Sequence, residues 1–253
     1  MEEHIMRIAV AGGTGTVGAH VTDIARGRGH DVVVLTRSSG VDLVTGRGVD
    51  AAIAGADTVI DVASTMTLKT AEAVAFFEAV TRTLLAAEGR VGVGHHVALS
   101  IVGIDGATDG YYVGKLAQER LVAAGAVPWT ILRATQFHEF AAQVYASAKV
   151  GPFHVVPRMR TQPIAAREVA ERLVDLAEAG PSGRVADLAG PREESLPVMI
   201  RSYARATGHR GWIPALALPG ESGRRQRDGS ALPGPGATLG RETFAEWLET
   251  VQS

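Results

Sequence analysis

An apolar run, Arg7-Ile-Ala-Val-Ala11, breaks into Gly12-Gly-Thr-Gly15-Thr-Val-Gly18. A second apolar run, 32–35, follows within roughly 30 residues, the length of one βαβ unit. No other stretch restricts the possible folds so tightly, because strand, glycine turn and helix stand here in the order a dinucleotide cradle requires. Gly12 and Gly13 are expected to turn the chain off the strand where a Cβ would clash. Gly15 is expected to let amide N–H groups approach a pyrophosphate, and Gly18 to seat the helix close to the sheet. The helix start supplies unpaired donors and partial positive charge. Thr14 and Thr16 add hydroxyls there, with Val17 in the first helical turn, so the whole turn is read as cofactor-binding.

The second strand ends Leu35-Thr-Arg37-Ser38-Ser39, with no carboxylate to hold a ribose 2′-hydroxyl; Asp31 stands at its other end. A guanidinium matches a phosphate bidentately, so Arg37, with Ser38 beside it, points to the 2′-phosphate of NADP(H) rather than to NAD(H).

The 253 residues suffice for one α/β unit with a small appended lobe. A formal net charge of −2 implies no general attraction to nucleic acid. With no cysteine there are no disulfides, thiolate nucleophiles or Cys-ligated metals, in keeping with a reducing compartment. The first strand starts so early that no signal peptide is expected, and no apolar run approaches the roughly 18–20 residues of a membrane span. The expectation is a cytoplasmic protein, monomer or homodimer, whose partner is a small molecule.

Strands are expected at 57–63, 95–102 and 129–133, alternating with helices at 17–28, 49–56, 68–88 and 110–124. That alternation implies a doubly wound parallel sheet, with the ligand crevice at the carboxyl ends of its strands. Beyond Phe137 the pattern loosens. Helices are expected at 139–149, 167–179, 193–207 and 241–251, strands at 153–156 and 185–188, an extended segment at 212–218, and a long Gly-, Pro- and Arg-rich loop at 219–240. The reading divides the chain into a core of residues 1–150 and an extension, 151–253, which completes the sheet and covers the crevice.

Ser100 closes the fourth strand, and Tyr111 and Lys115 follow in Tyr111-Tyr-Val-Gly-Lys115. Residues four apart share a helix face, so Tyr111 and Lys115 can point at one ligand. This suits carbonyl reduction: the tyrosine donates a proton, the ammonium lowers its pKa and also reaches the cofactor ribose, and the serine orients the carbonyl oxygen. The same spacing also occurs where a tyrosine merely packs. His95 and His96 face opposite sides of a strand and cannot share an ion, so no metal is expected. Arg224-Arg-Gln-Arg227 reads as a solvated loop, with an anionic substrate or an oligomer partner as a minor role. Asp105 and Asp109 read as turn residues, and Arg133 as a structural ion pair.

The chain resembles the atypical short-chain dehydrogenase/reductases, particularly the NmrA-like NAD(P)-binding group. The resemblance rests on the glycine turn, Thr36-Arg37, Asp42-Leu43, Ala98-Leu-Ser-Ile-Val-Gly103, Tyr111-Tyr-Val-Gly-Lys115 and Ile131-Leu-Arg-Ala-Thr-Gln-Phe-His138, and covers nearly the whole chain. It implies a Rossmann fold with a small C-terminal substrate lobe. It also implies that Asp42 and Leu43 flank the adenine and that Val62, Ala63 and Ser64 line the cofactor. Thr135, Gln136 and Phe137 would lie near the nicotinamide, and Gln136, Phe137 and His138 toward the substrate. The chain departs from the group in its short Ser100–Tyr111 interval and in Ala134, where proline is common. The function expected is NADPH-dependent reduction of a carbonyl or conjugated alkene in a small organic molecule. The alternative is a non-catalytic NADP(H)-binding regulator. Sugar-nucleotide epimerisation is set aside because it would need a larger substrate lobe.

Overall fold

The computed structural model describes residues 5–67, 69–150 and 153–252. The first half runs β1 (Arg7–Ala11), α1 (Thr16–Gly27), β2 (Asp31–Leu35), α2 (Val49–Ile53), β3 (Thr58–Asp61), α3 (Thr70–Val91), β4 (His95–Ile101), α4 (Gly110–Ala124) and β5 (Trp129–Ala134). Then come α5 (Phe140–Ser147), β6 (Lys149–Val150), β7 (Phe153–His154), β8 (Val156–Pro157), β9 (Arg160–Thr161), α6 (Ala166–Ala179), β10 (Gly183–Arg184) and β11 (Leu188–Ala189). The chain closes with β12 (Glu194–Ser195), α7 (Leu196–Ala206), β13 (Ala215–Leu216), α8 (Gly220–Asp228), β14 (Thr238–Leu239) and α9 (Phe244–Gln252). Two compact units result, one of residues 1–133 with 169–185, the other of 134–168 with 186–253. The division thus falls at the end of β5 rather than at residue 150, and most of α6 returns to the first unit. Leu68, the expected first residue of the third helix, lies outside the described residues.

In the first unit the strands lie in the order β2-β1-β3-β4-β5, with β10 on β5. The pairs β1–β2, β1–β3, β3–β4 and β5–β10 are parallel. The order runs outward from β1 in both directions, so the topological switch lies at β1, where such sheets bind ligands. β3 is buried along its whole length, as a parallel strand covered on both faces should be. Phe77, Val80 and Leu84 form the buried stripe of α3 at helical spacing. Gly114 lets α4 lie against that helix: a Cβ there would stand 2.7 Å from the Phe77 ring and 2.9 Å from the Ala73 carbonyl carbon.

In the second unit Ala134 pairs with Leu188, β11 pairs with β14 in parallel, and β9 with β12 antiparallel. Leu196, Met199, Ile200 and Ala204 line one face of α7 and pack with Val156, Met159 and Phe244. The expected helix at 193–207 starts late because Glu194 and Ser195 are taken into the ladder with β9. The expected strand at 185–188 is two separate pairs, β10 and β11. The expected loop at 219–240 is corrected: it holds α8 and β14. Glu221 in the first turn of α8, Arg225 and Arg227 in the last, and Gly229 at φ +93° supply helix-dipole matching and a left-handed stop that the composition conceals. Among the described residues no helix is long and apolar enough to cross a membrane.

Candidate active site

The glycine turn is closed to any side chain. Gly12 has φ +81°, and a Cβ on it would lie 2.8 Å from the Ala63 N and Cα and the Val62 carbonyl oxygen. The loop after β3 therefore presses directly on the turn. A Cβ on Gly18 would lie 2.1 Å from the Gly12 oxygen and 2.6 Å from the Gly13 Cα. Gly18 thus seats the helix against the turn itself rather than against the sheet. Gly13 is needed for packing, since its Cβ would meet Val34 Cγ1 at 2.7 Å. The Gly15 N–H donates to the Gly12 carbonyl at 2.9 Å, and Gly15 caps α1 with no side chain on the helix donors. Thr14, Gly15 and Thr16 are exposed, whereas the Val17 side chain is buried, leaving only its backbone to face a ligand. A doubly charged bridge fits this cradle.

After β2, Thr36 caps the turn Arg37–Ser39 by accepting the Ser39 N–H at 3.2 Å. Arg37 is exposed, and among the described residues no carboxylate pairs with it. The Ser38 hydroxyl lies 2.9 Å from the Thr36 hydroxyl. Asp42 Oδ1 accepts the N–H groups of Val44 (2.9 Å) and Thr45 (3.3 Å), which hold its carboxyl below the usual carboxylate range. Leu43 packs, half-buried, on the cluster that contains Leu35 and Val41.

Tyr111 and Lys115 occupy the helix the spacing assigned them. The Tyr111 and Ser64 hydroxyl oxygens are 3.0 Å apart, which joins two predicted site residues directly. The expectation that lysine lowers the tyrosine pKa is corrected: burial pushes the Tyr111 hydroxyl up, the Ser64 hydrogen bond opposes this, and the Asp61 carboxylate adds to the rise. Lys115 Nζ donates to the Leu99 carbonyl at 2.5 Å and to Gln118 Oε1, and lies 4.7 Å from the centre of the Phe77 ring. Burial brings the Lys115 pKa down to about 8 against the pull of Asp61 and Glu119. Two of its three N–H donors are thereby engaged, leaving the third for a ligand. The Ser100 hydroxyl is buried with no hydrogen-bond partner among the described residues.

The residues carried over from β5 onward lie in the second unit and are bound up within it. Thr135 Oγ1 donates to the Gln162 carbonyl at 2.6 Å, and Gln136 Oε1 accepts from Thr161 Oγ1 at 2.6 Å. Phe137, half-buried, bridges to Ile164. His138 is fully buried; Nε2 lies 3.1 Å from the Glu242 carbonyl oxygen, and the ring packs on Phe244 and Trp247. Burial lowers its pKa to about 4, so it is neutral. The His138 ring is thus part of an aromatic core.

No protein-family model matches the chain, and no curated protein matches it. Solved structures match over almost its full length. MoeE5 in complex with UDP-glucose and NAD is 19% identical with a TM-score of 0.69, covering 97% of this chain and 98% of its own. The NADPH-dependent quinone oxidoreductase QOR2 from Escherichia coli is 15% identical with a TM-score of 0.67, covering 97% and 100%. The epimerase Mth375 from Methanothermobacter thermautotrophicus is 13% identical with a TM-score of 0.72, covering 98% and 91%. The chain adopts a Rossmann fold.

Within this Rossmann fold two site residues escape a reading of the sequence. Asp61 ends β3, fully buried; Oδ2 accepts from Gln118 Nε2 at 2.7 Å and Oδ1 from the Ala63 N–H at 3.0 Å. Gln118 links this carboxylate to Lys115. One carboxylate thus shapes the loop that presses on Gly12 and, through an amide, orients the lysine. The available signals were an ionisable residue closing an apolar strand and an amide three residues after the lysine. Elsewhere Arg133 is structural as expected, bonding Glu119 twice at 2.7 Å and Asp105 at 2.5 and 3.0 Å, so Asp105 is an ion-pair partner rather than a turn residue alone. His95 bonds Thr130 and His96 bonds Glu88, each at 2.8 Å. Among the described residues no group of three ligands could hold a metal.

Proposed function

We propose that the chain is an NADPH-dependent oxidoreductase of the NmrA-like kind that reduces a carbonyl or conjugated alkene in a small organic molecule. The observation that carries this reading is the pairing of a glycine-rich turn after β1, with no side-chain cap on its helix, with Tyr111 held on Ser64, in the loop that presses on that turn. Gly12 to Gly18 would hold the pyrophosphate by backbone donors, and Arg37 the 2′-phosphate. Bound NADPH supplies hydride. Tyr111, protonated at neutral pH because burial raises its pKa, would donate the proton that follows the hydride to the substrate. Lys115, anchored by Leu99 and Gln118, would give its remaining donor to the ribose. Ser100, a buried hydroxyl with no hydrogen-bond partner among the described residues, would orient the substrate oxygen.

The likeness to MoeE5 supports a second reading, nucleotide-sugar chemistry. The lobe-size objection to it falls away, because the match covers 98% of MoeE5. One experiment separates the readings: nucleotide binding by calorimetry, then coenzyme consumption on a panel of carbonyls and conjugated alkenes. The oxidoreductase predicts steady NADPH oxidation, reduced about a hundredfold or more in Tyr111→Phe. Tight nucleotide binding with no consumption would favour a regulator. Net conversion of a UDP-sugar to its epimer without coenzyme consumption would favour an epimerase.

A further inference from the structure

The second unit contains an open cavity of about 380 Å³ whose lining includes four arginines: Arg158, Arg160, Arg201 and Arg227. We propose that this cavity is a binding site for a phosphoryl dianion, carried as the phosphate of a small organic monoester. The site is independent of the coenzyme cradle and needs neither of its residues nor its function.

Its walls are fixed by the fold. Arg158, Met159 and Arg160 all line it, the two arginines exposed and Met159 buried between them. The Arg158 N–H donates to the Leu216 carbonyl at 2.8 Å, and the Leu196 N–H to the Met159 carbonyl at 3.0 Å, which ties the segment to β13 and to the start of α7. Arg201 projects from α7 and Arg227 from α8. The expected loop would have left Arg227 in solvent; its helix is what brings the guanidinium to the cavity.

Among the described residues only one of these four guanidinium groups is paired with a carboxylate. Glu193 pairs with Arg160 at 2.6 and 2.9 Å. Arg158, Arg201 and Arg227 are held only by neutral carbonyls: Arg158 Nε to Ala215 (3.4 Å), Arg201 Nε and Nη2 to Ile213 (3.1 and 2.9 Å), and Arg227 Nη1 to Leu218 (2.7 Å). Among the described residues no carboxylate forms an ion pair with any of these three. Each guanidinium carries five donors, so most remain free. Gathering like charges costs energy that a bound anion recovers. A monocarboxylate would offset one of the three positive charges. A phosphoryl group offsets about two and presents three acceptor oxygens matched to the guanidinium forks. The volume lies within the range of roughly 300–1,000 Å³ typical of small-molecule sites, so it admits an organic body beyond the phosphate.

Calorimetry on the full chain with ribose 5-phosphate, inorganic phosphate and ribose tests this. Both phosphates should bind and ribose should not. Tighter binding of ribose 5-phosphate than of inorganic phosphate assigns the site to an organic ester; equal binding assigns it to the free ion. Arg158→Gln and Arg227→Gln should each weaken phosphate binding by about tenfold, the loss expected for one charge-assisted pair. Arg158→Lys should recover part of it, and circular dichroism and NADPH affinity should match wild type in all three, which excludes unfolding. The proposal is overturned if neither phosphate gives heat up to about 10 mM, weaker than the roughly millimolar affinity of a minimal ligand. It is equally overturned if the folded variants bind phosphate as wild type does. Failure of NADPH binding with phosphate binding intact would sink the oxidoreductase reading and leave this one standing.

Discussion

Replacing Lys115 with methionine asks whether the fold holds an ammonium against its own solvation. The side chain is buried, and burial brings its pKa from 10.5 to about 8. The unfolded chain keeps that proton until about pH 10.5, whereas the folded chain releases it near pH 8. Between these values the unfolded state binds more protons, so stability rises with pH; below pH 8 both states are charged and the cost of burial is fully present. At about pH 9.5 the folded lysine sits roughly 1.5 pH units above its pKa, and at about 1.4 kcal/mol per unit the gain over pH 7 is about 2 kcal/mol. Lys115→Met preserves most of the stem and has nothing to titrate. Guanidinium melts of both proteins at pH 7 and 9.5 should therefore show the wild type gaining about 2 kcal/mol on the variant. Tyr111 acts in the opposite sense, because its raised pKa makes stability fall once the unfolded tyrosine ionises near pH 10; it is present in both proteins and cancels in the difference. A difference that stays flat across this range would refute the account of Lys115.

Three further outcomes follow from individual contacts. Gly18→Ala puts a Cβ 2.1 Å from the Gly12 oxygen, backbone against backbone, and should cost about 1–3 kcal/mol in thermal or chemical unfolding and weaken NADPH binding by at least tenfold in calorimetry. Arg37→Ala should lower the ratio of NADPH to NADH affinity by about tenfold or more, as loss of a charge-assisted phosphate contact predicts; an unchanged ratio assigns the 2′-phosphate elsewhere. Arg133→Met strands Glu119, which is nearly buried, and should cost about 3–5 kcal/mol by denaturant titration, with Glu119→Gln in the same background recovering much of the loss.

The first half of the fold is legible because each signal is local. β1, the glycine turn and the helix after it are specified by consecutive residues, and α4 begins and ends at Gly110 and Ala124 as its sequence indicates. The second unit is harder to read because its strands are pairs of residues, too short for alternation to register: β9 exists through Glu194 and Ser195, more than thirty residues away. α8 was hidden for a different reason. Gly, Ser and Asp score poorly as helix formers, yet the order of charges along the segment suits the helix dipole, and order is not composition.

The candidate site divides along the same line. Spacing alone brings Tyr111 and Lys115 to one helix face, but what each can do depends on partners that spacing does not reach. Ser64, which meets the tyrosine, arrives from the end of β3, forty-seven residues earlier. Asp61 is hydrogen-bonded to the lysine through Gln118 and also acts on it by its charge, and Gly114 lets α4 lie close against α3. The lysine was expected to make the tyrosine more acidic. With its Nζ turned toward Leu99 and Gln118, it does not: burial raises the phenol's pKa, the Ser64 hydrogen bond opposes this, and the Asp61 carboxylate adds to the rise. Burial, with the Asp61 carboxylate adding to it, keeps the Tyr111 hydroxyl protonated at neutral pH. That is why the spacing of positions 111 and 115 gives the placement of the two side chains but not the direction in which the phenol is tuned.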